Sequence, residues 1–469
     1  DFIYPAEELR LLYGNHLYLI ENAEKLLSIC EIHFDFEGEN LNKNLRCFCE
    51  TPEQDYAMLE RLCEEGLYYR YPNPSQKIKQ RVKTELDVIK QQGFMSYFLI
   101  NWKLCKYARE KGYYYVGRGS GANSVVAYLL RITDVDPIEL DLYFERFINL
   151  YRQNPPDFDI DFSWKDREDI TEFIFREFQH GEGGNVALLA TYSTFQFRAV
   201  VRELGKVLGL PPHEIEYIQK AELRKLDHTQ QLVLRYGHYI EGFPSHLSIH
   251  AGGILIAERP IHYYTATDLP PKGFPTTHFD MVVAEDIGLY KFDILSQRGL
   301  GKIRDSLEVI RRNHPDRPPI DIHDIACFKK DERVKNLLRE GKAIGCFYVE
   351  SPAMRMLLKK LRVDEYLGLV AASSVIRPGV AKSGMMRQYI LRFREPDRRK
   401  EAHPILREIM PDTYGVMVYQ EDVIKVAHYF AGLSLAEADV LRRGMSGKYR
   451  SREEFQKVRD KYFEKCKEK

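Results

Sequence analysis

Pro155-Pro156-Asp157-Phe158-Asp159-Ile160-Asp161-Phe162 is the stretch on which the fold turns. Side chains on a strand alternate with period two. Asp157, Asp159 and Asp161 therefore share one face, while Phe158, Ile160 and Phe162 share the other and anchor it in a core. Aspartate is poor in strands, and neighbouring carboxylates on one face repel. Such a strand needs compensation, and divalent cations supply it. Two Mg²⁺ ions about 3.5–4 Å apart take oxygen ligands and clamp an in-line phosphoryl displacement. An exposed acidic edge strand is the plain alternative, and the bulky residues on the alternate face weigh against it. A third acid is then expected on a neighbouring strand. Leu289-Tyr290-Lys291-Phe292-Asp293-Ile294 offers Asp293, with Lys291 on its face. A lysine beside a metal-binding aspartate suits an anionic phosphate; a solvated Lys–Asp pair is the alternative.

Upstream, Val116-Gly117-Arg118-Gly119-Ser120-Gly121-Ala122-Asn123-Ser124 leads into a helical Val125–Leu130. Glycines let a backbone approach a phosphate, and a helix N-terminus supplies free N–H donors. Arg118 adds a charge-assisted donor. The segment lacks the GK[ST] ending of a P-loop, and a plain strand-to-helix turn remains the competing reading.

The rest of the pattern reads as mixed α/β in the centre and α-rich after Gly299. Helices are expected at 1–30, 75–112, 173–178, 198–208 and 213–221. Strands are expected at 113–116, 158–162, 249–257 (broken by Gly252-Gly253) and 289–294. Loops are expected at 313–320, 376–384 and 411–415. The 469 residues suggest about three domains. A hydrophobic fraction of 44% supports real cores. No apolar stretch is long enough to span a membrane and no signal peptide is visible, so a cytoplasmic protein is expected. The 69 Lys+Arg balance 69 Asp+Glu, which excludes a uniformly basic nucleic-acid coat but not a basic channel. Residues 441–469 alone carry eleven Lys/Arg against five Asp/Glu. Eight cysteines without a CxxC pair suggest buried, reduced thiols. The abrupt ends suggest a piece of a longer protein.

Taken in order, these motifs resemble the C-family polymerases, the bacterial DNA polymerase III alpha subunits. The likeness runs from about Gln76 to Lys448. It is carried by GRGSGANS at 117–124, FERF at 144–147, PDFDIDF at 156–162, HAGGILI at 250–256 and KFDIL at 291–295. It continues through GCFYVES at 345–351, Arg377-Pro378-Gly379, YGVMVYQE at 414–421 and ADVLRRGM at 438–445. The resemblance implies an α/β palm of the nucleotidyltransferase (polymerase-beta-like) type, an α-helical thumb and largely α-helical fingers. Residues 1–30 would be the end of a PHP domain, 31–190 and 251–298 the palm, 191–250 the thumb, and 299–469 incomplete fingers. It implies Asp159, Asp161 and Asp293 as ligands of two Mg²⁺ ions, with Mn²⁺ as a substitute, and Lys291 near the reacting phosphates. Gly119 and Ser120 would cradle the triphosphate, with Arg146, Arg152, Arg442 and Arg443 as nucleotide-binding residues. Primer–template DNA and dNTP would be substrates, and the full-length protein would meet a sliding clamp and other replisome subunits. FYVES for FQLES, Ser373-Ser374-Val375-Ile376 before Arg377, and Asn123 for a smaller residue depart from the family pattern. They leave a replicative enzyme and an accessory, translesion-type paralogue both open. A template-independent nucleotidyltransferase and a DNA-binding fragment without turnover are the competing functions.

Overall fold

The computed structural model describes residues 4–31, 42–148, 155–180, 184–445 and 452–468. Its centre is a seven-stranded mixed sheet of β1 (Tyr115–Arg118), β2 (Asp159–Ser163), β3 (Val186–Thr194), β4 (Pro244–Ile256), β5 (Thr267–Asp268), β6 (Thr276–Thr277) and β7 (Phe292–Gln297), in the order β1-β2-β7-β4-β3-β6-β5. β2 and β7 run parallel, and β1 and β4 flank them antiparallel.

The alternation read from the sequence sets the layers. Ile160, Phe162, Ile254, Ile256, Phe292 and Ile294 point to one face. There they meet the helices Pro52–Arg70, Gln76–Gln91, Met95–Glu110, Val125–Leu129 and Arg167–Phe178. A fully buried Phe or Ile side chain contributes about 1.5–3 kcal/mol, so this layer dominates the stability of the half before residue 299. Tyr97 ties the two key strands together. Its ring stacks on Phe158 at 5.5 Å and lies 4.9 Å from Phe292, and its hydroxyl accepts the Phe158 N–H at 3.0 Å. On the opposite face, Ala187, Leu189, Leu255 and Ala257 form a second apolar cluster with Phe279, Ala284, Ile287 and Leu289. That cluster draws on β3 and β4. Over β1, β2 and β7 the same face carries Arg118, Asp159, Asp161 and Asp293 instead.

Helices Phe197–Val207, Pro212–Ile218 and His228–Ile240 are inserted between β3 and β4 around their own small core of Val201, Ile215, Ile218, Leu226 and Val233. After β7 the chain is helical, with one core from Ala343 to Val418. A further core contains Ile424, Leu433, Leu441 and Val458 and includes Tyr143 from the first half.

Several expectations are corrected. The helix expected over 75–112 divides into two at Gly93, whose φ of +69° terminates the first. The break expected at Gly252-Gly253 is one of pairing only: β4 runs on through them, while its register with β3 jumps from Leu188–Ile254 to Ala190–Ile249. β3 has no counterpart in the sequence reading. A helix, Pro378–Lys382, occupies the expected loop at 376–384. β1 and β7 lie two to three residues later than expected. Only Cys63 and Cys105 are buried among the eight free cysteines. The helices Ala6–Tyr13 and Tyr18–Ile29 bury none of their residues. Among the described residues no helix is long and apolar enough to cross a membrane.

The glycine-rich segment is anchored by a residue far upstream. Glu85, fully buried, accepts from Ser124 Oγ at 2.8 Å and from the Val125 and Val126 N–H groups at 3.1 and 3.2 Å. Arg81 Nε donates to it at 2.7 Å. Burial pushes the Glu85 carboxyl pKa up, and Arg81 and these hydrogen bonds oppose that. Removing one partner of a buried, hydrogen-bonded ion pair costs about 3–5 kcal/mol. Glu85→Ala should therefore lower chemical-denaturation stability by that order. A loss below about 1 kcal/mol would show that the cap does not hold this segment.

Candidate active site

The carboxylates are placed by strand register. Asp159 is paired with Asp293 across the parallel β2–β7 ladder, and with Arg118 across the antiparallel β1–β2 ladder. Adjacent strands lie about 4.8 Å apart, so three charged residues stand in one row. Asp161, one step along β2, is on the same face. Asp161 and Asp293 are 3% and 7% exposed, and Asp159 is half-buried.

Two cations close on this row. Arg118 Nε donates to Asp161 Oδ2 at 2.8 Å, and its Nη1 to Asp159 Oδ2 at 3.3 Å. Lys291 pairs with Asp293 and stands 4.0 Å from Asp157 Oδ1. Gln297 Nε2 donates to Asp161 at 3.2 Å. Burial raises the Asp159 pKa; Asp293 and Asp157 add to this, and Arg118 and Lys291 oppose it. Burial acts to lower the Lys291 pKa, but Asp157, Asp293 and Asp159 outweigh it and hold the ammonium above its ordinary value. His250 is pushed toward the neutral form by burial, against the pull of Asp293, and its Nδ1 accepts from the Gly252 and Gly253 N–H groups.

The glycine turn touches this row directly. The 3-10 turn Gly119–Asn123 follows β1, and a Cβ on Gly119 would sit 2.6 Å from Asp159 Oδ2. Gly119 also has φ +76°. Ser120 Oγ donates to the Asp157 carbonyl at 3.4 Å. One expectation fails here. The N-terminus of the helix Val125–Leu129 is not free for a phosphate, because Glu85 and the Ser124 hydroxyl occupy its first N–H groups. That leaves the preceding turn and nearby cationic side chains as the parts able to meet an anion.

The expected arginines gather separately. Arg146 pairs with Glu421 and donates from Nη2 to Gln420 Oε1 at 3.0 Å. Arg442 donates to the same oxygen at 2.9 Å and to Asp439 Oδ1 from Nε and Nη2 at 2.9 and 2.7 Å. Arg443 Nε stands 3.1 Å from Asp439 Oδ2. The two groups are neighbours, since the turn Gly119–Asn123 packs on the turn Phe144–Arg146. Arg81 stitches that contact by donating to the Asn123 and Leu142 carbonyls, each at 3.3 Å. Arg152 lies outside the described residues. Glu85, Gln297, Gln420 and Asp439 received no role from the sequence, although the quoted motifs at 414–421 and 438–445 contain the last two; a lone acid or amide carries no periodic mark on a helix or at a strand end.

The residues 57–296 match the model of the bacterial DNA polymerase III alpha NTPase domain, and 299–469 match that of the DNA polymerase III alpha subunit finger domain. The chain belongs to the bacterial DNA polymerase III alpha family. An error-prone DNA polymerase of Symbiobacterium thermophilum is 34% identical over 89% of this chain and 40% of its own length. The DNA polymerase III subunit alpha of Bacillus subtilis is 34% identical over 98% of this chain and 42% of its own. That of Escherichia coli K12 is 34% identical over 82% and 36%. The chain thus spans about two fifths of the length of these relatives.

Asp159, Asp161 and Asp293 offer the oxygen ligands that Mg²⁺ requires, on adjacent positions of two paired strands. Among the described residues, no three such side chains converge on one point; Arg118 and Lys291 hold their oxygens instead. The backbone placement and the chemistry fit; the side chains are turned to Arg118 and Lys291, which offset part of their charge.

The closeness of Gly119 to Asp159 gives a direct test. Gly119→Ala must adopt a left-handed conformation, costing about 1–2 kcal/mol, and must displace the Asp159 carboxylate. Loss of stability of at least that size in a denaturation curve is expected. A fully stable variant would mean that the turn does not press on β2.

Proposed function

We propose that the chain carries the polymerising core of a DNA-directed DNA polymerase, which transfers a nucleotidyl group from a dNTP to a primer 3′-hydroxyl. The observation that carries this reading is the register that sets Asp159 beside Asp293, with Asp161 next along β2 and Gly119 against them. Family membership over both matched regions supports it.

In this reading 31–190 and 251–298, with most of the sheet, are the palm; 191–250, with the helical insertion, the end of β3 and the start of β4, are the thumb; and 299–469 belong to the fingers. Asp159, Asp161 and Asp293 would hold two Mg²⁺ ions, or Mn²⁺ in their place. When bound, such ions lower the pKa of the attacking hydroxyl and neutralise the triphosphate. The chain's own part is positional. Gly119 brings the turn against β2 without a side chain, so a phosphate can approach the carboxylates. Lys291, kept charged by its acidic neighbours, is a point charge for the reacting phosphates. Arg146, Arg442 and Arg443 offer forked donors, suited to phosphate oxygens. Catalysis would come from position and electrostatics rather than covalent chemistry. Primer–template DNA would be held through backbone phosphates, with strong salt dependence and little sequence preference. Within the full-length protein, a sliding clamp and other replisome subunits are the expected partners, in replication or translesion synthesis in the cytoplasm.

Primer extension by Asp161→Ala tests the reading. Incorporation should fall below about one per cent of the parent rate, as for loss of a ligand in a two-metal site, while primer–template binding stays within about threefold, since phosphate contacts lie elsewhere. Retained turnover would remove Asp161 from the site. Extension without a template would favour a terminal nucleotidyltransferase, and DNA binding by the parent chain without any extension would favour a binding fragment.

A further inference from the structure

Gln420 stands where two positively charged groups from distant parts of the chain meet. Its single Oε1 accepts from Arg146 Nη2 at 3.0 Å and from Arg442 Nη1 at 2.9 Å. Arg146 belongs to the turn Phe144–Arg146, beside the glycine turn; Arg442 belongs to the helix Leu435–Met445. Two guanidinium groups repel, and a neutral amide oxygen does not cancel their charge. What makes the arrangement tolerable is one acid behind each: Glu421 for Arg146 and Asp439 for Arg442. Asp439 is 2% exposed, and its other oxygen takes Arg443. Arg442 thus has Nε, Nη1 and Nη2 all committed, so its plane is fixed before any ligand arrives.

The same contact is reinforced on both sides. Lys425 Nζ pairs with Asp141 at 2.8 Å, and the hydroxyls of Tyr143 and Tyr429 lie 3.4 Å apart. Tyr143 is buried in the core formed with Ile424 and Leu441. Segment 141–146 and segment 420–429 therefore form one continuous seam, and Gln420 is the point on it that touches both arginines.

We propose that Gln420 is a positioning residue that couples the arginine helix Leu435–Met445 to the Arg146 turn, so that both guanidinium groups face one polyphosphate together. Asp439 serves the same end by fixing the planes of Arg442 and Arg443. The polyphosphate part rests on the polymerase reading above; the coupling part rests on the seam alone.

The two parts separate in experiment. In the 469-residue chain, Gln420→Leu removes the shared acceptor and leaves Arg146, Glu421, Arg442 and Asp439 in place. Amide hydrogen exchange over Leu435–Met445 should quicken by tenfold or more, without a comparable change in β2 or β7. Unchanged exchange in that helix overturns the coupling, whatever the chain does with nucleotides. With a 3′-deoxy-terminated primer–template, so that no turnover occurs, the Kd for a matched dNTP should rise about tenfold, the loss expected for a hydrogen bond to a charged group. With an extendable primer, KM should rise similarly and kcat should stay within about threefold; a purely structural defect would instead lower kcat and the thermal midpoint together. Faster exchange with an unchanged Kd would keep the seam and overturn the shared hold on polyphosphate. A parent chain that binds no dNTP would count against the polymerase reading and against that shared hold, and the exchange result would still decide the coupling.

Discussion

The fold depends on holding like charges side by side. The parallel register of β2 and β7 puts Asp159 next to Asp293, and Asp161 follows on the same face. At an effective dielectric near 20, two carboxylates about 5 Å apart repel by roughly 3 kcal/mol. No sheet would choose this arrangement for its own stability. The opposite face makes it possible: Ile160, Phe162, Phe292 and Ile294 are buried in the main core and fix the strands from behind. Tyr97 then locks both strand starts through its ring and hydroxyl. The apolar face holds the strands in place, and the acidic face carries a strain that charged partners must relieve.

Arg118 and Lys291 relieve part of it. Four carboxylates, those of Asp157, Asp159, Asp161 and Asp293, stand against these two cations, so negative charge remains in excess. In the proposed function, that excess would be met by divalent cations. These side chains do not converge on a single point: Asp159 and Asp161 turn to Arg118, and Asp293 turns to Lys291. The arginines at the seam are handled differently. Arg146 has Glu421 behind it, and Arg442 and Arg443 share Asp439, which orients their guanidinium groups. The chain therefore keeps two electrostatic regions, one short of positive charge and one with cations held in fixed directions, in contact through the turns Gly119–Asn123 and Phe144–Arg146.

Much of this was legible in the sequence because it follows short periods. Alternation over Phe158–Phe162 named the face of every residue of β2 but its last, Ser163, and the Lys291–Asp293 spacing named the partner strand. What escaped was either ambiguous locally or set by distant contacts. Val186-Ala187-Leu188-Leu189-Ala190 is apolar at every position and polar only from Thr191 on, so it shows no alternation; it is a strand because both its faces are covered by separate apolar clusters. Gly252-Gly253 mark a break in pairing rather than the end of a strand: between Ile249 and Ile254 the β4 register with β3 jumps, both glycine N–H groups turn to His250 Nδ1, and Gly253 keeps its place beside Asp293 of β7. Glu85 and Asp439 looked like ordinary helical acids. Their roles come from what lies 39 and 3 residues away, respectively, and in neither case does the local sequence say which acid will be buried.

Glu85 changes how the glycine segment works. A helix N-terminus attracts anions through its unpaired N–H groups and dipole, and a segment of this composition invites that explanation. Here the chain has already placed an anion there, one fully buried and bonded to Val125, Val126 and Ser124. A second anion at the same N–H groups would meet both occupied donors and a negative charge. The glycines therefore serve geometry rather than charge. Gly119 lets β1 turn against the Asp159 carboxylate, at a distance where even a methyl group would collide. Glu85 and Arg81 hold that turn rigid from the core side. Any attraction for phosphate at this surface must then come from side-chain cations. In the proposed function those cations are Arg118 and Lys291 on the sheet and Arg146 and Arg442 at the seam, so phosphate binding and the relief of carboxylate repulsion would draw in part on the same groups.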